Sequence, residues 1–300
     1  MTSKVTGRNS DPVRVFAGHL RGHEIKAFPD RVLAISRLAG DDSASTPALL
    51  RTILGDPAMT EGVLRAASRA HFNPSGQPLT TVNQAITHLG FCTVQRLAVS
   101  AGFLDQFLRG PRRERLRGEL ALCLHTACQA HRLAGHFTDH DPDEIYVSAL
   151  LARIGVLAFW VSREEHATRL ATFEQRSGMT AERAEREVLG FTLNDLTVQL
   201  NRDWRVSPLL EMLLGGTAVA HTRARYLYHG YRLAQALTAG AATSATAIAE
   251  AAQALAISEE ELLLLVRQAA DEARELCLIA RDEILSRAIP TEEVLASLGA

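Results

Sequence analysis

Residues 46–68 read TPALLRTILGDPAMTEGVLRAAS, and this stretch contains two helix starts. Thr46-Pro47 and Asp56-Pro57 each place a capping oxygen before a proline, whose missing N–H costs nothing at the first helical position. Apolar residues follow each start at the three- and four-residue spacing of an amphipathic helix. The stretch therefore predicts two short helices, near 47–54 and 57–70.

The same signals recur along the chain. Four further starts are Asp141-Pro142, Ser207-Pro208, and the capping-box pairs Thr81 with Gln84 and Ser258 with Glu261. No segment of five or six residues alternates apolar and polar side chains with β-branched enrichment, which is the pattern of a strand. The predicted fold class is all-α, with many helices, including one over 142–160 and a long one over 259–286.

Composition excludes several classes of protein. The chain has 47% hydrophobic and 22% charged residues, as soluble globular proteins do, and no uninterrupted apolar run reaches the roughly 18 residues that span a bilayer. With 32 basic and 34 acidic side chains, its net charge of −2 gives no support to general polyanion binding. The four cysteines form no CxxC pair, and residues 1–12 lack an apolar signal segment. We expect a cytoplasmic protein without membrane contact.

The domain organisation follows from these helices. We expect a flexible N-terminal arm over 1–20, a helical lobe over 21–110, a second lobe over 111–235 and a C-terminal helical extension over 236–300. In the last long helix, Leu262, Val266, Ala269, Ala273, Leu276, Ala280 and Ile284 form an apolar stripe. This stripe predicts either packing on the protein's own core or a homodimer seam through 259–286.

Common catalytic motifs are absent from the sequence. It contains no GxSxG, P-loop, GxGxxG after a strand, or HExxH. The densest histidine group, His131, His136 and His140 with Asp139, Asp141 and Asp143, runs into the helix start at Asp141-Pro142. We interpret residues 138–141 as an exposed loop, in which the carboxylates favour the positive N-terminus of the following helix. A metal site there is the alternative.

Several segments, in order along about two hundred residues, resemble one family. They include Asp56-Pro57-Ala58, Ala85-Ile86-Thr87-His88-Leu89-Gly90, Leu124-His125-Thr126, Leu150-Leu151-Ala152-Arg153-Ile154-Gly155 and Trp204-Arg205-Val206-Ser207-Pro208. The sequence is similar to the HD-related output domain (HDOD) family of bacterial signalling proteins. The resemblance implies an all-α fold related to the HD phosphohydrolases, used as an interaction or output module.

The resemblance also locates a site. Related enzymes hold a divalent metal through a histidine, a His-Asp pair and a further aspartate. In this sequence only His125 stands at a matching ligand position, because Ala152 and Arg153 replace the His-Asp pair. A methyl group offers no ligand and a guanidinium repels a metal, so we interpret the metal site as lost. As an alternative, His125 and Arg153 together hold an anion such as a nucleotide phosphate.

Five arginines form the other local feature: Arg109, Arg112, Arg113, Arg115 and Arg117. They could meet an acidic protein or an RNA backbone, but no aromatic residues are interleaved for base stacking, which favours a solvated basic helix start.

Together these observations predict a non-catalytic module of bacterial signal transduction. It binds another signalling protein, or a small molecule or nucleotide, and needs no cofactor. The alternative is an active HD-type phosphohydrolase or phosphodiesterase with ligands drawn from His125, His131, Asp139 and His140.

Overall fold

The computed structural model describes residues 11–23, 34–35, 46–108, 113–137, 141–162, 164–215, 221–291 and 295, and every regular element in these ranges is a helix. The helices are α1 (Pro12–His23), α2 (Thr46–Leu54), α3 (Pro57–Ala67), α4 (Val82–Leu89), α5 (Phe91–Leu108), α6 (Arg113–His136), α7 (Pro142–Leu150), α8 (Ile154–Val161), α9 (Glu164–Ser177), α10 (Ala181–Leu189), α11 (Leu193–Trp204), α12 (Pro208–Leu214), α13 (Thr222–Ala239), α14 (Ala241–Leu255), α15 (Glu259–Ile279) and α16 (Glu283–Arg287). The all-α prediction is confirmed.

The predicted caps begin these helices. Asp56 accepts hydrogen bonds from the backbone N–H groups of Ala58 and Met59, and Ser207 accepts from Leu209 and Leu210. The Asp141 side chain accepts a hydrogen bond from the Glu144 backbone N–H, and Ser258 accepts from Glu261 in the same way. Thr81 accepts from the Gln84 backbone N–H as part of a complete capping box. Local sequence chemistry therefore sets these helix starts.

Helix α6 lies at the centre of the fold. Its residues 123–130 are all buried, because α5, α7, α13 and α15 pack around it. The closest approach is to α13, where Gly230 faces Ala130 and a Cβ added to Gly230 would stand 2.7 Å from the Ala130 backbone nitrogen. Only glycine leaves room for α13 at this distance from α6.

The helix predicted over 142–160 is two helices. The backbone turns at 151–153 with shorter-range hydrogen bonds, from Ala152 N–H to Ala149 O and from Ile154 N–H to Leu151 O. The segment Pro142–Val161 is long and apolar enough to cross a membrane, with a mean hydropathy of 1.7, yet 83% of this window is buried inside the chain. Because most residues of α7 and α8 are buried, their apolar pattern has no distinct face and does not reveal the break.

Part of the predicted flexible arm is helical. Residues 12–20 belong to α1, which buries Val13, Phe16, Ala17 and Leu20 against the rest of the chain. The prediction of an arm is therefore wrong for 12–20, because these apolar side chains find a packing surface that the sequence does not show. Residues 1–10 lie outside the described part of the chain.

The C-terminal helices pack on the core. Five residues of the predicted stripe in α15 are buried: Leu262, Val266, Ala269, Ala273 and Leu276. Helix α15 lies against α6, and the predicted boundary at 235–236 falls inside the continuous helix α13. Most of the stripe is thus covered within the chain, whereas Ala280 is half-buried and Ile284 is exposed. A homodimer through 259–286 stays a prediction.

We predict opposite effects for two glycine substitutions. Gly230→Ala drives a methyl group into the α6 backbone, and we expect it to lower the free energy of unfolding by about 1–3 kcal/mol. Gly118→Ala, at an exposed position in α6 with no atom within 4 Å of the new Cβ, should raise it by about 0.4–1 kcal/mol. Urea denaturation of both variants measures the difference. Equal stabilities would contradict the close approach of α13.

Candidate functional site

The turn between α7 and α8 carries the altered pair Ala152-Arg153. The Arg153 side chain donates from Nε to Glu119 Oε2 of α6 at 2.6 Å and from Nη1 to the Tyr231 hydroxyl of α13 at 3.2 Å. The side chains of Arg153 and Glu119 are about one-quarter exposed, at 27% and 28%. Ala152 is buried and presents only a methyl group.

Electrostatics fix Arg153 as a cation. Burial by itself would lower the pKa of Arg153, but the hydrogen bond and the attraction to Glu119 outweigh burial and raise it. A charge-assisted Arg–carboxylate pair is among the stronger hydrogen bonds in proteins. An incoming anion would therefore compete with Glu119 for this guanidinium.

His125 is buried in the middle of α6. Its Nε2 lies 2.9 Å from Gln129 Nε2, and the Gln129 amide also donates to the Val266 carbonyl of α15 at 3.1 Å. The His125 Nδ1 atom has no hydrogen-bond partner among the described residues. Burial, followed by repulsion from Arg274, lowers the pKa of His125 to about 3. The ring is therefore neutral near pH 7.

His125 and Glu119, the partner of Arg153, lie on different sides of α6. Glu119, the partner of Arg153, precedes His125 by six residues on α6, which places the two side chains about 120° apart around the helix axis. His125 faces α15 through Gln129 and Val266, whereas Arg153 faces Glu119 and Tyr231 of α13. The contacts of the two residues therefore lead to different helices, and an anion pocket formed by both stays a prediction.

The predicted basic patch is partly neutralised within the chain. Arg115 pairs with Glu174 of α9 at 2.9 Å, and its guanidinium lies 3.6 Å from the ring centroid of Trp160. Arg117 pairs with Asp282, the N-cap of α16, at 2.8 Å. Arg113 begins α6, and Arg109 and Arg112 lie outside the described residues. Arg115 and Arg117 therefore connect helices.

The alternative metal set is only partly described. His131 Nε2 lies 3.5 Å from Asp143 Oδ1, while Asp139 and His140 fall outside the described residues. His125 turns towards α15 and does not join that contact. Within the described ranges, no three His, Cys, Asp or Glu side chains are grouped as metal ligands.

A charge cluster between helices, which no sequence motif indicates, is formed by Arg96, His131, Arg132, Asp143 and Glu272. Arg96 lies 3.0 Å from Asp143 and 3.6 Å from Glu272, and Arg132 lies 2.9 Å from Glu272. The cluster joins α5, α6, α7 and α15, and the Glu272 side chain is only 5% exposed. Glu272 follows the buried Ala269 by three residues, which places it on the apolar face of α15. A charged residue on an apolar face is the sequence signal that could have indicated the cluster.

The cluster keeps its carboxylates ionised. Burial alone would raise the pKa of Glu272, but attraction to Arg96 and Arg132 outweighs burial and lowers it. For Asp143, the His131 hydrogen bond and Arg96 likewise outweigh burial and lower the pKa. Buried charges need such pairing, since an isolated one would cost several kcal/mol.

A model of the HDOD domain family matches residues 25–215. The chain belongs to the HDOD domain family, and the altered turn at 152–153 lies inside the matched range.

Solved structures share the fold well beyond that range. An HDOD domain protein with unknown function from Geobacter sulfurreducens is 17% identical, with a TM-score of 0.70 over 89% of this chain and 96% of that one. A candidate phosphohydrolase from Shewanella amazonensis SB2B is 17% identical, with a TM-score of 0.64 over 89% and 99%. A candidate signal transduction protein from Marinobacter aquaeolei VT8 is 18% identical, with a TM-score of 0.59 over 93% and 67%. No match was found among the curated proteins.

We predict that acid removes the contribution of Glu272. Because its pKa is lower in the folded chain than its unfolded value of about 4.3, Glu272 stabilises the fold above that pH and loses this effect as pH falls. Glu272→Gln should cost about 3 kcal/mol at pH 7, and progressively less below pH of about 4.3. Chemical denaturation from pH 7 to pH 3 tests this. Glu250→Gln, in an exposed pair with Arg232, should cost below about 1 kcal/mol.

We also predict energetic coupling between Arg153 and Glu119. A double-mutant cycle with Arg153→Met, Glu119→Gln and both together should give a coupling of about 1–3 kcal/mol in the free energy of unfolding. The exposed pair Arg202–Glu211, treated in the same way, should give below about 1 kcal/mol. A coupling near zero for Arg153 would mean that its guanidinium is free for another ligand.

Proposed function

We propose that this HDOD protein is a non-catalytic regulatory module that acts by binding a partner protein in bacterial signal transduction. One observation carries the proposal. The Arg153 guanidinium, held by Glu119 and Tyr231, stands at the position that the family resemblance gives to an aspartate ligand of the metal.

The residues at this position do not fit a divalent metal. Metal ions of the hydrolase type need several oxygen and imidazole ligands that converge on one point. Ala152 supplies no donor atom, and the positive charge of Arg153 opposes a second cation. His125, the remaining matched residue, is buried and contacts Gln129, whose amide donates to the Val266 carbonyl of α15. The donor set argues for binding without hydrolysis.

The kind of partner is argued from the family and the charge distribution. Family membership favours another signalling protein, and a neighbour in fold carries signal transduction in its name. A nucleotide or other small anion is the second kind of ligand, but it would have to displace Glu119 from Arg153. We expect no nucleic acid partner, because Arg115 and Arg117 are ion-paired.

An HD-type phosphohydrolase is the second candidate function. The name of the Shewanella amazonensis neighbour favours a phosphohydrolase. At 17% identity, the likeness between the two chains supports a shared fold and not a shared activity. Its ligands would come from His125, His131, Asp139 and His140.

Elemental analysis separates the two functions. We expect protein purified without chelator to hold far less than one equivalent of Mg, Mn, Fe, Ni or Zn, and to hydrolyse no generic phosphodiester with added Mn²⁺. Near-stoichiometric metal, with hydrolysis lost in Asp139→Asn and His140→Ala, would establish the phosphohydrolase instead. These variants avoid the buried His125, whose replacement could affect folding.

A further inference from the structure

Helix α1 lies in an aromatic groove between α8, α9 and α11, which we name the Phe16 groove. The Phe16 ring centroid is 5.7 Å from that of Phe159 in α8, 5.7 Å from that of His166 in α9, and 5.6 Å from that of Phe191, just before α11. At the start of α1, Pro12 lies against Gly190, the residue that ends α10. One aromatic side chain thus anchors the helix at the centre of the groove.

The buried face of α1 has the spacing of a groove-bound peptide helix. Val13, Phe16, Ala17 and Leu20 are buried at positions i, i+3, i+4 and i+7, while Val15 on the opposite face is 46% exposed. Helices that bind in apolar grooves of partner proteins use these same anchor positions. The groove therefore accepts an amphipathic helix with an aromatic residue at its second anchor.

Helix α1 is short and lies before the part of the chain that the family model matches. It precedes the range 25–215 that the HDOD family model matches, and it packs mainly against α11. Twelve residues are too few for a stable helix alone in water, so docking and helix formation depend on each other. Loss of the Phe16 contact should therefore release all of α1, while the core around α6 keeps its own packing.

The groove also leaves one polar atom unsatisfied. The His166 Nδ1 atom is buried and has no hydrogen-bond partner among the residues that the structure describes, and the His166 ring meets Phe16 edge-on, at 77°. A buried polar atom without a partner costs free energy. An occupant with a hydrogen-bonding side chain beside its aromatic anchor could satisfy this atom, which α1 does not.

We propose that the Phe16 groove is the surface that recognises the partner protein, and that α1 occupies it until an amphipathic helix of the partner takes its place. The partner helix carries apolar anchors at i, i+3, i+4 and i+7, with an aromatic residue at i+3. This inference rests on the proposed function as a binding module. It adds where the partner binds, which kind of helix the partner supplies, and that α1 competes with this helix for the groove.

The test uses the full chain and a fluorescent peptide of residues 11–23, DPVRVFAGHLRGH, as the probe. Phe16→Ala in the protein should release α1 and open the groove, so the peptide should bind this variant at least tenfold more tightly than the unaltered chain. The same peptide with Phe16→Ala should not bind. Val15→Ala in the protein, on the exposed face, is the matched control and should behave as the unaltered chain.

Three results would overturn the inference. The peptide could fail to bind a Phe16→Ala protein that keeps its helical circular dichroism. It could bind the variant and the unaltered chain equally. A dimer of the unaltered chain that Phe16→Ala abolishes would assign the groove to α1 of a second copy. Leu20→Ala, which removes a smaller anchor, replaces Phe16→Ala if that variant does not fold.

The metal and hydrolysis measurements are independent of this one. Metal-free, inactive protein with no peptide binding would remove the groove inference and leave the proposed function. Peptide binding by an active phosphohydrolase would remove the proposed function and leave the groove as a helix-binding surface.

Discussion

Residues 123–130 of α6 are buried on every side, and the rest of the structure is arranged to make this burial possible. Three helices that come later in the chain, α7, α13 and α15, must reach α6, and Gly230 allows the closest of them to approach. Removal of apolar surface from water supplies the driving force. Within this buried stretch, the Gln129 amide contacts His125 and donates to the Val266 carbonyl of α15.

The charge cluster around Glu272 shows how α15 becomes part of the core. Its apolar stripe packs on α6, while Glu272 meets Arg96 and Arg132 from two other helices. Apolar packing is not directional, whereas paired charges have a defined geometry, so the cluster can fix the register of α15 against α5, α6 and α7. The C-terminal helices are accordingly built into the same core as the matched HDOD range.

The altered site illustrates how one fold accommodates different chemistry. At the turn between α7 and α8, the Arg153 guanidinium pairs with Glu119 and the Tyr231 hydroxyl, and Ala152 presents only a methyl group. A fold alone assigns no function, so the proposed role depends on these side chains. The Phe16 groove lies elsewhere, between α8, α9 and α11.

The sequence by itself determined the helix starts, the all-α class and the family, because caps and motifs are local patterns of adjacent residues. Only the tertiary structure decided the break between α7 and α8, the pairing of Arg153 with Glu119, the cluster around Glu272 and the position at which α1 packs. The partners in these contacts are far apart in sequence: Arg132 and Glu272 are 140 residues apart. Such pairs form only when helix packing brings their side chains together, and no local pattern encodes which helices will meet.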